Sequence, residues 1–367
     1  MNAPVRRPAA TPPSRLRRRS AVKAGLTAAF TGLVLAASHT VALAQERVLN
    51  LYSARHYQTD EALYANFTKA TGIRINRDEA DDAGILARLK AEGTASPADV
   101  ILLVDAARLW RGEQDGLFQP VKSAVLEKRI PPQLRGGDAG QGPQWVGVST
   151  RARVIVYDKA AVKPGDIDTY EKLASPALKG KICVRSGSHP YNLSLFGSML
   201  ERMGAARTEA WLKGVADNLA RAPKGGDTDQ IRSVAAGECA VALSNTYYYA
   251  RILRSQKPED REVAARTAVM FPDQAGAGTH VNISGAAVAR NAKNRDAAIA
   301  FLEYLSSDDA QRMLADGNNE YPAVPGLNTD NPALVAMGRF KAETVPIAKV
   351  GAATAQVQQM LDRVGFK

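Results

Sequence analysis

The sequence predicts a two-lobed α/β protein whose discontinuous lobes are joined by a two-strand hinge. Short apolar runs alternate with amphipathic helical stretches, which is the pattern of α/β architecture. The chain has 367 residues, more than a single hydrophobic core usually supports. Two apolar segments, Trp145–Tyr157 and Val281–Val288, are placed to carry the chain from one lobe to the other and back. Such a hinge allows two lobes to close around a ligand.

Four segments make up the predicted lobes. Residues 45–147 and 279–323 are assigned to lobe 1, and residues 148–278 and 324–367 to lobe 2.

The N-terminal segment, residues 1–44, reads as an export signal. Arginines precede the apolar stretch Ala24–Ala37, and Ala42-Leu43-Ala44 gives the small-residue pattern of a cleavage site. The pair Arg18-Arg19 resembles a twin-arginine signal, and an ordinary secretory signal is the alternative. The full chain has a net charge of +11, but this segment holds seven of its basic residues. The remainder has 41 basic and 37 acidic residues, a charge of +4, so we expect a periplasmic protein with no nucleic-acid partner.

The first half of the chain opens with a strand and a capped helix. The strand-like run Val48–Tyr52 is followed by Thr59 as the expected N-cap, and Gly72 is expected to end the helix. Leu63, Phe67 and Ala70 recur at helical spacing and should form its buried face. The elements predicted next are the strand Ile73–Asn76, a helix ending before Gly93 and the buried strand Val100–Val104.

The middle block contains strands around the only two cysteines, Cys183 and Cys239. In an oxidising compartment such a pair forms a disulfide, and two buried thiols on neighbouring strands are the alternative. A helix over Leu193–Met203 and a buried strand over Cys239–Asn245 are predicted here. Amphipathic helices over Ala297–Leu305 and Gln356–Val364 follow.

Tyrosines follow three of these predicted strands. Tyr247-Tyr248-Tyr249 come after the Cys239 run, Tyr191 follows the Cys183 strand in a loop, and His56-Tyr57 follow the first strand. Strand ends in α/β sheets face the crevice in which ligands bind. A phenol that loses its proton is a hard oxygen donor, and imidazole also suits iron. The pattern therefore indicates a metal held between two lobes, although a lone tyrosine is more often a packing residue.

Patterns typical of zinc sites and of serine hydrolases are absent. The sequence has no Cys-x-x-Cys, no His-Glu-x-x-His and no Gly-x-Ser-x-Gly motif. His189 is expected to be a solvated or capping residue, and His280 to be structural or to lie near a hinge, rather than to bind metal. We expect a binding protein rather than an enzyme.

Five segments together resemble the periplasmic ferric-iron-binding proteins, the solute receptors of iron ABC transporters. They are Leu51–Tyr57, Ala95–Val100, Ser186–Asn192, Asn245–Tyr249 and Gly278–Gly285, and the resemblance extends over nearly all of residues 46–367. It implies a periplasmic-binding-protein fold, similar in plan to a transferrin lobe. It also implies iron as the bound ligand, an inner-membrane ABC permease as the partner and a monomeric receptor.

In the tyrosine-rich branch of that family, a histidine and a tyrosine from one lobe and tyrosines from the other hold the metal. Carried over by motif, the ligands are His56, Tyr57, Tyr191, Tyr247 and Tyr248. Tyr249 is left as a packing residue, and Gly84 stands where some relatives have an acidic ligand.

The phenol donors favour one oxidation state of the bound iron. A free phenol has a pKa near 10, so a metal must displace its proton, which a trivalent ion does more effectively. This favours Fe(III), with Fe(II) left open. Four arginines near the strand ends could offset the excess phenolate charge: Arg55, Arg151, Arg153 and Arg185. The alternatives are a receptor of the same fold for a small organic or anionic solute, and a periplasmic metallochaperone or enzyme.

Overall fold

The computed structural model describes residues 47–55, 57–137 and 140–367. The predicted signal, residues 1–44, lies outside the described residues, as does His56. The described strands are β1 Val48–Ser53, β2 Arg74–Glu79, β3 Val100–Leu103, β4 Phe118–Gln119, β5 Arg135–Gly136, β6 Trp145–Asp158, β7 Ile182–Cys183, β8 Val241–Asn245, β9 Thr267–Met270, β10 Val281–Ala289 and β11 Tyr321–Pro322. The described α-helices are α1 Asp60–Thr71, α2 Asp82–Glu92, α3 Ala106–Gln114, α4 Ala124–Arg129, α5 Pro190–Met203, α6 Ala205–Asp217, α7 Asp227–Ala236, α8 Thr246–Arg254, α9 Pro258–Arg266, α10 Arg295–Leu305, α11 Asp308–Asn318, α12 Pro332–Met337 and α13 Ile347–Val364.

The main strands form two sheets that share β6. In the first sheet the order is β2-β1-β3-β10-β6, with β1 parallel to its two neighbours and β10 antiparallel to β3 and β6. In the second sheet β6 pairs with β8 and β9, and β7 lies parallel to β8. The parallel pairs point the carboxyl ends of β1, β3, β7 and β8 toward the loops in which ligands are expected.

The two crossing strands are confirmed. Residues 145–152 of β6 pair with β10, and residues 153–158 pair with β8 or β9. Every residue of β6 is buried, including the polar stretch Ser149–Arg153. Its polar side chains find partners in the interior.

Separate hydrophobic cores lie on the two sides of these strands. One core is built from residues between 49 and 148 and between 283 and 347. The other is built from residues between 155 and 243 and between 353 and 366. The lobe boundaries given above remain a prediction.

Helix α13 begins at Ile347, nine residues before the predicted start at Gln356, and packs against both cores. A Cβ added at Gly351 would lie 2.6 Å from the Cβ of Trp110 in α3. A Cβ added at Gly197 of α5 would lie 3.0 Å from the carbonyl oxygen of Val350. Glycine at these positions lets the helices approach closely.

Helix α1 confirms its predicted end but not all of its predicted face. Gly72 adopts a left-handed conformation with φ of 70° and caps the helix. Leu63 and Phe67 are buried, but Ala70 is exposed, and the other buried positions are Asp60 and Tyr64. Thr59 precedes the helix without capping it, because its hydroxyl donates to Asn318 Oδ1 at 2.6 Å.

The predicted disulfide is present. Cys183 at the end of β7 is bonded to Cys239 just before β8, with their Cα atoms 5.8 Å apart. The bond therefore fastens two parallel neighbouring strands close to the segment that leads from β7 into α5 and Tyr191. Within the described residues, no helix is long and apolar enough to cross a membrane.

Candidate metal centre

Three of the predicted ligand tyrosines lie in the first turns of helices. Tyr191 is the second residue of α5, whereas the sequence placed it in a loop before a helix starting at Leu193. Tyr247 and Tyr248 are the second and third residues of α8, directly after β8. His189 is the N-cap of α5, and its Nδ1 accepts from the backbone N–H of Tyr191 at 3.2 Å, which is the capping role expected for it.

The phenols of these helices meet. The hydroxyl of Tyr247 donates to the hydroxyl of Tyr191 at 2.9 Å, although the two residues are 56 positions apart. The rings of Tyr247 and Tyr248 are in contact, with centroids 4.3 Å apart. Tyr247 is buried, whereas Tyr191 and Tyr248 are partly accessible. Three phenol groups from two helices therefore form one cluster beside the crossing strands.

Tyr57 joins this cluster from the other core. Arg251 of α8 lies over three rings, with its guanidinium carbon 5.6 Å from the centroid of Tyr57, 5.3 Å from that of Tyr247 and 5.7 Å from that of Tyr248. Tyr57 follows β1 and is partly buried. The structure thus brings together all four predicted tyrosines, and His56 remains a prediction.

Tyr249 is oriented differently from its two neighbours. Its hydroxyl donates to the carbonyl oxygen of Thr267 at 3.0 Å. Its ring belongs to a small apolar cluster with Ile231, Ile252 and Val263. It is a packing residue, as expected.

A buried ion cluster supports the Tyr57 side of the site. Arg55 Nη1 donates to Glu320 Oε2 and to Ser284 Oγ, both at 2.9 Å, and its Nε donates to Asp60 at 2.9 Å. Arg151 Nη1 lies 3.2 Å from the same Ser284 hydroxyl. The cluster ties the end of β1 to both crossing strands, because Ser284 is in β10 and Arg151 is in β6.

A second ion cluster supports the Tyr191 side. Arg153 Nη1 binds Asp227 Oδ2, and Arg185 Nη1 donates to Asp227 Oδ1 at 3.2 Å. The guanidinium carbon of Arg185 lies 5.0 Å from the ring centroid of Tyr191. The four arginines named from the sequence are therefore all near the phenols, and none is simply a solvated surface residue.

Three charged residues of the site were missed at the sequence level. Arg251 stands four residues after Tyr247, so helical spacing would have shown it once α8 was known to begin at Thr246. Glu320 and Asp227 lie in irregular or turn-like sequence and reach the site only through tertiary packing. No periodicity marks them.

Burial sets the protonation state of the phenols. It raises the pKa of Tyr57, Tyr191 and Tyr247, and for Tyr191 the nearby positive charge of Arg151 opposes that rise. These three phenols are therefore neutral at neutral pH in the metal-free protein. A cation must displace their protons before the oxygens become anionic donors.

The described residues offer no carboxylate or imidazole cluster as an alternative metal site. Among the described residues, no three His, Cys, Asp or Glu side chains are grouped to hold a metal ion. Gly84 lies in the first turn of α2, where its N–H donates to Asp81 Oδ1 at 2.7 Å. Asp82 accepts from the N–H of Val104 at 2.8 Å, and burial raises its pKa to about 6. Among the described residues, the donors that the site brings together are phenol oxygens.

Residues 62–339 match the family described as bacterial extracellular solute-binding protein. The chain belongs to this family. It is 47% identical over 341 residues to iron uptake protein A2 of Synechocystis sp., covering 92% of this chain and 96% of the relative. It is 28% identical over 293 residues to the major ferric iron-binding protein of Neisseria meningitidis serogroup B, covering 80% of this chain and 86% of that protein.

Solved structures agree with these relatives. The Trichodesmium protein IdiA (FutA), determined in complex with iron and citrate, is 47% identical, with a TM-score of 0.84, 87% of this chain covered and 100% of that chain. The ferric binding protein of Campylobacter jejuni is 38% identical, with a TM-score of 0.79 and coverages of 87% and 100%. The two-lobed periplasmic-binding-protein fold and the family resemblance are confirmed.

Proposed function

We propose that the protein is a periplasmic receptor that captures Fe(III) between its two lobes and delivers it to an inner-membrane ABC permease. The proposed donors are the imidazole of His56 and the phenolate oxygens of Tyr57, Tyr191, Tyr247 and Tyr248. In this proposal the receptor is a monomer, and iron is its cargo.

The convergence of the phenols carries the proposal. The hydroxyls of Tyr191 in α5 and Tyr247 in α8 lie 2.9 Å apart. Arg251 of α8 contacts the ring of Tyr57, which is assigned to the other lobe. A packing tyrosine such as Tyr249 instead gives its hydrogen to a backbone carbonyl oxygen. The relatives named for iron uptake and ferric iron binding supply the identity of the cargo.

Charge favours Fe(III) over Fe(II). Because burial raises the pKa of Tyr57, Tyr191 and Tyr247, iron binding has to release their protons, and a trivalent ion stabilises each phenolate more strongly than a divalent ion does. Four phenolates and one Fe(III) leave about one negative charge, which the arginines around the phenols can offset.

The decisive measurement is a titration of metal-free protein with ferric citrate in air and with ferrous ion under anaerobic conditions. We expect one equivalent of Fe(III) and a visible phenolate-to-iron charge-transfer band. Iron binding without that band contradicts phenolate ligation. Binding of citrate in the absence of iron, with no metal uptake, favours the organic-solute receptor.

One group of buried residues resembles a catalytic triad, but its burial excludes catalysis. Ser194 Oγ lies 2.8 Å from His280 Nε2, and His280 Nδ1 binds Glu343, as in a serine hydrolase. However, Ser194 is 2% exposed and His280 is 1% exposed. A substrate carbonyl group cannot reach that hydroxyl, so we assign the three residues to fixing the start of β10 against α5.

Export by the twin-arginine route is part of the proposal. Changing Arg18→Lys and Arg19→Lys together keeps the charge but removes the paired arginines. We expect the mature protein to disappear from the periplasm and the precursor to accumulate in the cytoplasm, as measured by fractionation and immunoblotting. Undiminished export of this variant identifies an ordinary secretory signal.

A further inference from the structure

Asp227 is a wholly buried carboxylate beside the phenol cluster that is not among the proposed ligands. It is the first residue of α7 and has no exposed surface. Its two oxygens bind three donors: Arg153 Nη1, the backbone N–H of Asn245 at 2.7 Å and Arg185 Nη1 at 3.2 Å. One side chain therefore joins β6, the end of β8 and the segment after β7.

These donors lead directly to two of the tyrosines. Asn245 is the N-cap of α8, so its fixed N–H sets where the turn bearing Tyr247 begins. Arg153 Nη2 donates to Asn192 Oδ1 at 2.7 Å, and Asn192 is the residue after Tyr191. The Asn192 amide in turn donates to the carbonyl oxygens of Arg185 and Ser186, at 3.1 and 3.0 Å.

We propose that Asp227 is a positioning residue that arranges the Tyr191 and Tyr247 hydroxyls as a pair before iron arrives. This inference rests on the proposed function. The carboxylate acts through Arg153, Asn192 and Asn245, and it holds the starts of α5 and α8 at the spacing that leaves the hydroxyls 2.9 Å apart. Preorganised donors bind metal more tightly because less ordering accompanies binding.

A purely electrostatic role and a positioning role predict opposite changes in iron affinity when Asp227 loses its charge. Binding of Fe(III) by four phenolates takes the site from neutral to about one negative charge. Removing the charge of Asp227 leaves Arg153 and Arg185 uncompensated, and extra positive charge favours that change. If Asp227 acted by charge alone, Asp227→Asn would therefore strengthen iron binding.

The test measures iron affinity of the full mature protein by competition with a chelator, together with the charge-transfer band and metal-free thermal unfolding. We expect Asp227→Asn to weaken iron binding about 10- to 100-fold, the usual range for residues that orient metal ligands. The same change should have much less effect when Tyr191 is already Phe, since the pair is then lost. It should keep its full effect in a Tyr57→Phe background, because Tyr57 is held by other residues.

Asp99→Asn is the matched control. Asp99 is also wholly buried, and it accepts from the backbone N–H groups of Asn50 and Asn294, both at 2.8 Å. It lies at the N-terminal end of β3, whereas the phenols lie beyond the carboxyl ends of the strands. We expect this change to lower the unfolding temperature without altering iron affinity. If Asp227→Asn does not fold, Arg185→Lys keeps the positive charge but loses the guanidinium that meets Asp227 Oδ1, on a less buried side chain, and its loss of affinity should also vanish in the Tyr191→Phe background.

The outcomes separate this inference from the proposed function. Unchanged or tighter iron binding by Asp227→Asn, or an equal loss with and without Tyr191, overturns the positioning role while the receptor stands. Failure of the unaltered protein to bind iron with a charge-transfer band overturns both.

Discussion

At the scale of single residues, the site depends on which way each tyrosine of the run points. Tyr247 and Tyr248 are adjacent on α8 with their rings in contact, and Tyr247 reaches the hydroxyl of Tyr191. The next residue, Tyr249, turns to Thr267. Since successive helical positions are about 100° apart, three adjacent tyrosines cannot all face one metal.

Substitution by phenylalanine tests this division. Tyr247→Phe and Tyr248→Phe keep the ring and remove the donor oxygen, so each should weaken iron binding by more than the roughly 10- to 100-fold typical of residues behind the ligands. Tyr249→Phe should leave affinity and colour unchanged and lower the free energy of unfolding by about 1 kcal/mol, because one hydrogen bond is lost. Chelator competition and the visible spectrum measure the first effect, and denaturant unfolding the second. Loss of colour only in Tyr249→Phe would show that the assignment within the run is wrong.

The raised pKa values of the phenols predict acid release of iron. Burial raises the pKa of Tyr57, Tyr191 and Tyr247, so these groups are protonated in the metal-free protein at neutral pH and ionised in the loaded protein. Binding therefore releases protons, and affinity must fall as pH falls, by up to one power of ten per pH unit for each phenol engaged. Potentiometric titration during loading counts the protons. Iron release on acidification without proton uptake would contradict phenolate ligation.

At the scale of elements, the sequence predicted the crossing strands well and the helix starts less well. Trp145–Tyr157 and Val281–Val288 are long apolar runs, and both are buried strands in the structure. Tyr191 was misplaced in a loop because the helix was started at Leu193, although Pro190 is a favoured first residue of a helix. Ala70 was wrongly predicted to be buried, because a pattern of three residues does not show how much of the helix face is covered.

Some residues of the candidate site could be predicted from the sequence and others could not. The tyrosines could be found because each follows an apolar strand. Glu320 and Asp227 could not, because a buried carboxylate is recognised by the arginines it binds, and these lie far away in the chain.

The disulfide is expected to stabilise the second lobe without serving the metal. It closes a separation of 56 residues, for which chain entropy predicts about 4 kcal/mol. Replacing both cysteines by serine should lower the free energy of unfolding by about that amount, as measured in denaturant. Iron affinity should be retained, because β7 and β8 also pair through their backbones. A large loss of affinity with little loss of stability would instead place the disulfide in the binding machinery.

At the scale of the whole molecule, β6, β10 and α13 are prominent among the described elements that connect the two cores. Strands β6 and β10 pair with each other where the chain crosses, and α13 packs on α3 as well as α5. The ion cluster of Arg55, Ser284 and Glu320 lies on the crossing strands directly behind Tyr57. Movement about this hinge would carry Tyr57 toward or away from the tyrosines of the other lobe.

Closure on iron is the prediction that belongs to this scale. In the structure Tyr57 lies under Arg251 of α8, which also lies over the rings of Tyr247 and Tyr248. A metal bound by both lobes stabilises that state by its differential affinity for it. Iron-loaded protein should therefore match the scattering curve expected for this structure, whereas metal-free protein should have a larger radius of gyration.

The control for closure is a variant with one iron donor fewer on lobe 1. Tyr57→Phe removes the lobe 1 phenol oxygen while Tyr191, Tyr247 and Tyr248 remain, so it should retain a weaker coloured complex and close less completely. Tyr249→Phe should close as the unaltered protein does, since its hydroxyl faces Thr267. Small-angle scattering at matched iron occupancy makes the comparison. If the radius is the same with and without iron, the lobes are permanently closed or one lobe binds the metal alone, and Tyr57→Phe distinguishes these cases: affinity falls in the first and is unchanged in the second.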